Sequence, residues 1–258
     1  MLCGMSRPTA LITGPTSGIG LSFAHQLAAA GHDLVLVSRD SARLEALAAE
    51  VRATYVVDAE VLVADLGDRA ALATVEARLA DASRPVDLLV NNAGLGLKHT
   101  FLDNSLEDEQ HLLDVLVTAV LRLSHAALGP MVARGSGSIV NVSSVAGYLP
   151  RGTYSAAKAY VTSLSEWADL TYRDQGVRVM ALLPGFTRTE FHQRMDVSRD
   201  SAPSWLWLDV DRVVAEALRD LAKGRTISVP SKRYKAISVV ARYTPTSLQA
   251  RFQGLGRK

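Results

Sequence analysis

Six short apolar runs recur along this chain, and a longer stretch with helical spacing follows each of the first five. The runs are TALIT, DLVLVS, EVLVAD, VDLLVNN, GSIVNVSS and VRVMALLP. Between them lie SFAHQLAAAG, SARLEALAAEVR, DRAALATVEARLADA, LEDEQHLLDVLVTAVLRLSHAALGPMVAR and YSAAKAYVTSLSEWADLTYRD. Near-continuous apolar strands are what a sheet covered on both faces requires, and parallel neighbours need helical crossovers. The alternation therefore predicts an α/β fold, a doubly wound, mostly parallel sheet flanked by helices. Ser17 and Ser41 suit helix N-caps, and Gly31 and Gly176 suit helix ends. No linker, repeat or low-complexity stretch interrupts the pattern, so residues 1–258 read as a single domain. A less regular segment at about 190–207 is expected to cover a ligand. It leads into a helix at 209–222, a short strand TISVP and a basic tail at about 231–258.

Composition adds few constraints. The single cysteine, Cys3, rules out an internal disulfide and makes a reducing, cytoplasmic compartment the simple reading. The opening MLCGMSRPTALITG runs into a strand pattern without a secretory leader. No uncharged apolar run approaches the roughly 18 residues of a membrane span. The six histidines and one cysteine form no metal-ligand pattern. Charge is placed unevenly. The last acidic residue is Asp220, so the first 220 residues carry 19 basic and 26 acidic groups, while nine basic residues follow. Such a tail suits anionic lipid, an acidic protein or nucleic acid, or folds over acidic surface of its own chain or a sister subunit. SKRYKAISVVARYT mixes basic and apolar residues as an interfacial helix does, which leaves peripheral membrane contact open. Nucleic acid is not expected as a partner, because no recognition motif accompanies the charge.

The stretch TALITGPTSGIGLSF is a strand, a glycine turn and a helix start. Gly14, Gly18 and Gly20 let a backbone approach a pyrophosphate, with the helix N-terminus offering free N–H groups. The spacing is TGxxxGxG, distinct from GxGxxG. Together with NNAG at 91–94, YSAAK at 154–158 and PGFTRT at 184–189, it resembles the short-chain dehydrogenase/reductase family from about residue 8 to 230. The resemblance implies a single-domain Rossmann fold, a nicotinamide cofactor and, commonly, a homodimer or homotetramer.

The second strand ends in Ser38-Arg39 where an acidic residue would bond the ribose hydroxyls of NAD. A guanidinium there binds a 2′-phosphate by a forked, charge-assisted pair, which predicts NADP(H) over NAD(H), with Asp40 as the neighbouring complication. By the same resemblance Thr16, Ser17 and Ile19 join the phosphate loop. Asp65 and Leu66 meet the adenine, Asn91 fixes the fourth strand and contacts the cofactor, and Ala93 and Gly94 border it. Pro184, Gly185, Thr187 and Thr189 cradle the nicotinamide carboxamide and the phosphates.

Tyr154 and Lys158 are four apart on an expected helix and share a face. An ammonium about 4 Å from a phenol is worth up to roughly 4 kcal/mol at an effective dielectric of 20. That corresponds to about three pKa units, enough to bring the phenol towards neutrality. The resemblance makes Tyr154 the acid that protonates a carbonyl oxygen. Lys158 then tunes the tyrosine and holds the nicotinamide ribose, and Ser144 bonds the substrate oxygen. Ser144 is preferred to Ser143 because it directly precedes VAG.

Two departures from the family stand out. Leu116 occupies the place of a common asparagine that helps hold a water linking the lysine to solvent. The Ser144–Tyr154 loop, VAGYLPRGT, is shorter than usual. Either departure could slow the enzyme, and an NADP(H)-binding sensor or assembly subunit with impaired turnover is the alternative. The covering segment carries Phe191, His192, Met195, Trp205 and Trp207, which suits an apolar steroid, acyl or aromatic carbonyl substrate.

Overall fold

The computed structural model describes residues 7–190 and 203–244. Seven strands form one parallel sheet in the order β3-β2-β1-β4-β5-β6-β7. They are β1 Thr9–Thr13, β2 Asp33–Ser38, β3 Ala59–Val63, β4 Leu88–Asn91, β5 Gly137–Val142, β6 Val177–Leu182 and the short β7 Ile227–Ser228. The strand order reverses between β1 and β4, and the carboxyl ends there open the crevice where ligands bind in such sheets.

Alternation along the strands explains why their sequences are apolar throughout. In β1 and β2, Ala10, Ile12, Leu34 and Leu36 face one layer, packed with Phe23, Leu44, Leu47 and Val213. Leu11, Val35 and Val37 face the other, with Leu72, Val75, Leu123 and Met131. The first layer holds α1 (Gly18–Ala29), α2 (Ser41–Tyr55) and α7 (Val210–Ala222); the second holds α3 (Arg69–Ala80), α5 (Ala119–Arg134) and α6 (Thr153–Tyr172).

Helix ends depart from expectation in one place. Asp40, not Ser41, caps α2, its carboxylate accepting from the Arg43 N–H at 3.0 Å. Ser17 does precede α1, in extended conformation and without a capping bond from its side chain. Gly176 is obligatory, with φ +80° and its missing Cβ position 1.9 Å from the Gly135 carbonyl oxygen.

The long apolar pattern at 106–134 is one continuous helix of two α-helical parts. Between α4 (Leu106–Leu113) and α5, residues Asp114–Thr118 form a π-helical turn. Such bulges recur at functional sites. The whole helix is long and apolar enough to cross a membrane, although Arg122 interrupts its uncharged run. Here Leu112, Leu116, Leu123, Ala127 and Met131 are spent in the interior.

Two buried polar networks fix α6, the helix that carries the tyrosine–lysine pair. Asn91 donates to Asn141 Oδ1 at 2.8 Å, and Asn141 donates to Ser165 Oγ at 3.0 Å, tying β4 and β5 to α6. Asp169 accepts from Arg178, Thr226 and the Val179 N–H. Burial alone would raise its pKa, but these donors hold it below the usual carboxylate range.

Candidate active site

A cavity of about 1390 Å³ opens at the carboxyl ends of β1, β2, β4, β5 and β6. It exceeds the roughly 300–1,000 Å³ of an ordinary small-molecule pocket, so there is room for a dinucleotide and a substrate. Of the expected residues, Gly14, Thr16, Ser17, Gly18, Ile19, Ser38, Arg39, Asp65, Leu66, Ala93, Gly94, Ser144, Tyr154, Lys158, Pro184, Gly185, Thr187 and Thr189 all line it. Gly20 and Asn91 are not among its lining residues.

Gly20 acts one step back. A Cβ there would stand 2.2 Å from the Gly14 carbonyl oxygen and 2.4 Å from Asn92 Nδ2. Its absence lets the loop close on the helix start. Asn91 is turned into the β4–β5–α6 network and is 3% exposed, tying the fourth strand to its neighbour. The neighbouring asparagine shapes the cleft instead. Asn92 Nδ2 donates to the carbonyls of Thr13 at 2.9 Å and Gly14 at 3.0 Å. Thr13 Oγ1 accepts from the N–H groups of Asn92 and Ala93, both at 3.0 Å. Gly14 and Gly18 take φ +65° and +55°, conformations open to glycine at little cost. The result is a glycine cradle braced from β4 at the N-terminus of α1, with the chemistry of a pyrophosphate site.

At the far end of β2, the Arg39 side chain is largely exposed at the cleft edge, 3.6 Å from Asp65. Asp40 does not compete for a ribose, because its carboxylate is spent on the cap of α2.

Tyr154 and Lys158 lie on the first two turns of α6. Lys158 Nζ donates to the Val142 carbonyl at 2.7 Å and stands 5.7 Å from the centre of the Tyr154 ring. The two nearby serines divide the work. Ser143 is buried and bonds the Lys158 carbonyl at 2.7 Å and Thr162 Oγ1 at 2.8 Å, holding β5 to α6. Ser144 faces the cleft and hydrogen-bonds Tyr154. The short loop keeps this arrangement through a 3-10 turn, Val145–Tyr148, opened by a bond from the Ala146 N–H to Ser144 Oγ. That turn sits so close to α6 that a Cβ on Gly147 would lie 2.9 Å from Ala159 N.

The expected electrostatics are corrected. Burial pushes the Tyr154 phenol up to about 12, against the pull of the Ser144 bond. Burial pushes Lys158 down to about 8. The ammonium is directed at the Val142 carbonyl rather than the phenol oxygen, so desolvation outweighs charge pairing for both groups.

Leu116 is 1% exposed at the centre of the π-helical turn. It packs with Leu112 and Ala157, against Leu95, Leu97 and Tyr154. Its Cδ2 comes within 3.2 Å of a Cβ built on Gly94. The side chain serves as apolar backing for the tyrosine where the family commonly places an amide.

Sequence reading missed one wall. The tail contains a helix, α8 (Lys232–Tyr243), whose Tyr234, Ile237, Val240 and Ala241 line the cleft. The segment that the sequence leaves open to lipid contact is therefore part of the cavity wall, although Val239, Val240 and Tyr243 remain exposed. Tyr234, Ile237 and Ala241 recur at helical spacing, a signal the basic residues between them obscured. Of the expected covering segment, Trp205 lines the cleft, and Trp207 lies 5.5 Å from Phe186 ring to ring. Phe191, His192 and Met195 fall outside the described residues.

Residues 8–200 match the family model described as short chain dehydrogenase. The chain belongs to this family. The galactitol 2-dehydrogenase (L-tagatose-forming) of Cereibacter sphaeroides is 35% identical over 202 residues, covering 76% of this chain and 78% of that one. Among solved structures, a short-chain dehydrogenase from Sphingobium yanoikuyae in complex with NADPH superposes with TM-score 0.85. It has 38% identity and covers 96% of this chain and 94% of that one. The bulky-bulky ketone specific alcohol dehydrogenase of Comamonas testosteroni gives TM-score 0.80 and 33% identity, with 92% of each chain covered. The chain is accordingly an oxidoreductase of the alcohol and carbonyl type.

Proposed function

We propose that this enzyme interconverts a bulky, apolar ketone and its secondary alcohol with NADP(H). The observation that carries the substrate reading is the apolar part of the cavity wall. Leu95, Leu97, Leu149, Phe186, Trp205, Ile237 and Val240 line the same cavity as Tyr154. Apolar surface of this extent recovers about 25 cal/mol for each Å² of substrate it covers, whereas a polyol or a sulfonate would lose its hydration there. The NADPH complex of the relative from Sphingobium and the exposed Arg39 both support the phosphorylated cofactor.

The nucleotide phosphates fit the cradle of Gly14, Thr16, Ser17 and Gly18, the 2′-phosphate fits Ser38 and Arg39, and the nicotinamide fits the Pro184–Thr189 segment. When bound, the cofactor supplies a hydride. The chain's own task is the proton and the geometry. In reduction, Tyr154 donates its phenolic proton to the carbonyl oxygen as the hydride arrives, while Ser144 donates a hydrogen bond to the same oxygen. Lys158 holds the ribose and supplies positive charge beside the phenolate that forms. Exposed Leu121 on α5 and Trp167 and Leu170 on α6 support the expected homo-oligomer.

The test is NADPH oxidation against matched carbonyls. Turnover is expected for ketones with two large apolar substituents. Turnover confined to a ketohexose or sulfoacetaldehyde would overturn the substrate reading. Arg39→Glu is expected to weaken NADPH by about tenfold, roughly 1.4 kcal/mol for an exposed charge-assisted contact. NADH binding should change little. Titration of both nucleotides by tryptophan quenching checks this, and an unaltered NADPH/NADH ratio would remove Arg39 from the phosphate site.

A further inference from the structure

Tyr234 lies among exposed basic residues yet is 3% exposed itself. Its hydroxyl accepts from the Phe186 N–H at 3.0 Å and donates to the Leu206 carbonyl at 2.9 Å. Its ring fills the space a side chain on Gly185 would need, since a Cβ there would lie 2.0 Å from Tyr234 Cζ. The Phe186 carbonyl in turn accepts from the Leu208 N–H at 2.7 Å, and the Arg188 N–H donates to the Leu208 carbonyl at 3.1 Å. One phenol thus joins three parts of the cleft. They are the Pro184–Phe186 loop beyond β6, the turn at Ser204–Leu206, and α8, whose Ile237 and Val240 face the substrate space.

We propose that Tyr234 is a positioning residue for hydride transfer. It fixes the Gly185–Phe186 backbone, the expected nicotinamide seat, in register with the substrate wall on α8. The proposal rests on the oxidoreductase reading above. Its chemistry is local: both hydrogen bonds are made to backbone groups, so removing the hydroxyl frees the loop without altering any side chain that touches the reacting atoms. A shift of about 1 Å in such a seat costs on the order of 10² in rate.

The experiment compares Tyr234→Phe, Gly185→Ala and Ile237→Ala with the wild type. Gly185→Ala acts from the other side, because its Cβ must displace the Tyr234 ring. NADPH affinity is read from tryptophan quenching, and the nicotinamide environment from NADPH emission without substrate. Hydride transfer is read from single turnovers with NADPH and its 4-deuterated form. For Tyr234→Phe and Gly185→Ala the expectation is NADPH affinity within about threefold of wild type and hydride transfer slower by about 10–100-fold. KM should stay nearly constant and the isotope effect on kcat should be fully expressed. Ile237→Ala should instead raise KM and leave the single-turnover rate within about twofold. Either of the first two variants decides the matter if the other does not fold. Wild-type hydride transfer in a variant that binds NADPH overturns the proposal, as does a rate loss that follows nucleotide affinity alone. If the wild type oxidises NADPH with no carbonyl, the function reading fails separately. Tyr234 is then judged by NADPH emission: a changed emission at unchanged affinity upholds it, and an unchanged one overturns it.

Discussion

Tyr154→Phe is expected to bind NADPH as the wild type does and to lose about 10³-fold or more in kcat. The substitution removes one oxygen. The ring stays packed against the apolar cluster of Leu112, Leu116 and Ala157, so folding is preserved and the loss falls on the chemical step. A positioned acid contributes about 10²–10⁴ in rate, and here the same oxygen also carries the Ser144 bond. The ligand-free pKa gives the profile a direction. Burial holds the phenol up at about 12, so the acid form persists at every ordinary working pH. Reduction should therefore show no loss from ionisation of this tyrosine between pH 6 and 9. Oxidation of the alcohol needs the base form and should rise with pH across that range. Steady-state rates in both directions, with tryptophan quenching by NADPH alongside, check the pattern. A Phe variant that keeps a tenth of wild-type kcat would pass the acid role to another group.

The fold was readable in the sequence because period and composition agreed. In β1, Leu11 turns to one layer while Ala10 and Ile12 turn to the other, and a strand buried twice must be apolar at every position. The phosphate cradle was readable for a related reason. Backbone that must approach a ligand at positive φ leaves a glycine signature that survives changes elsewhere.

Three features were hidden, each by a contact distant in sequence. The bracing of the glycine loop by Asn92 is not marked in NNAG. Only the packing of β4 sends its side chain to the Thr13 and Gly14 carbonyls. Tyr234 reads as part of a basic tail, and only its bonds to Phe186 and Leu206, 48 and 28 residues away, make it part of the cleft. The phenol's electrostatics were misjudged because spacing of four on a helix sets a common face but not where an ammonium points. Lys158 Nζ goes to Val142.

Lys158→Met is expected to make the ligand-free protein more stable and the enzyme much slower. Lys158 titrates near 8 in the folded chain against 10.5 as a free side chain, through burial. Below pH 8 the folded state therefore carries the cost of a buried cation, and that cost is relieved as pH rises from about 8 towards 10.5. A shift of this size corresponds to about 3 kcal/mol at neutral pH. The bond to the Val142 carbonyl offsets about 1 kcal/mol of what the substitution would gain. Tyr154 has the opposite sign. Its raised pKa contributes stability below pH 10 that is lost only as pH climbs towards 12, so it is silent in the window from 8 to 10. Urea unfolding should thus find Lys158→Met about 2 kcal/mol more stable than wild type at pH 7, with the gap closing or reversing by pH 10. The same variant should lose at least about a hundredfold in kcat/KM, since the phenolate formed in turnover would have no cation beside it. A variant less stable at pH 7, or a gap that widens with pH, would mean that the ammonium is well solvated in the free enzyme. The opposed signs would then have no basis. If both hold, the cleft keeps an unfavourable charge in place before any ligand arrives, and the anionic groups of the bound cofactor and the transition state are what relieve it.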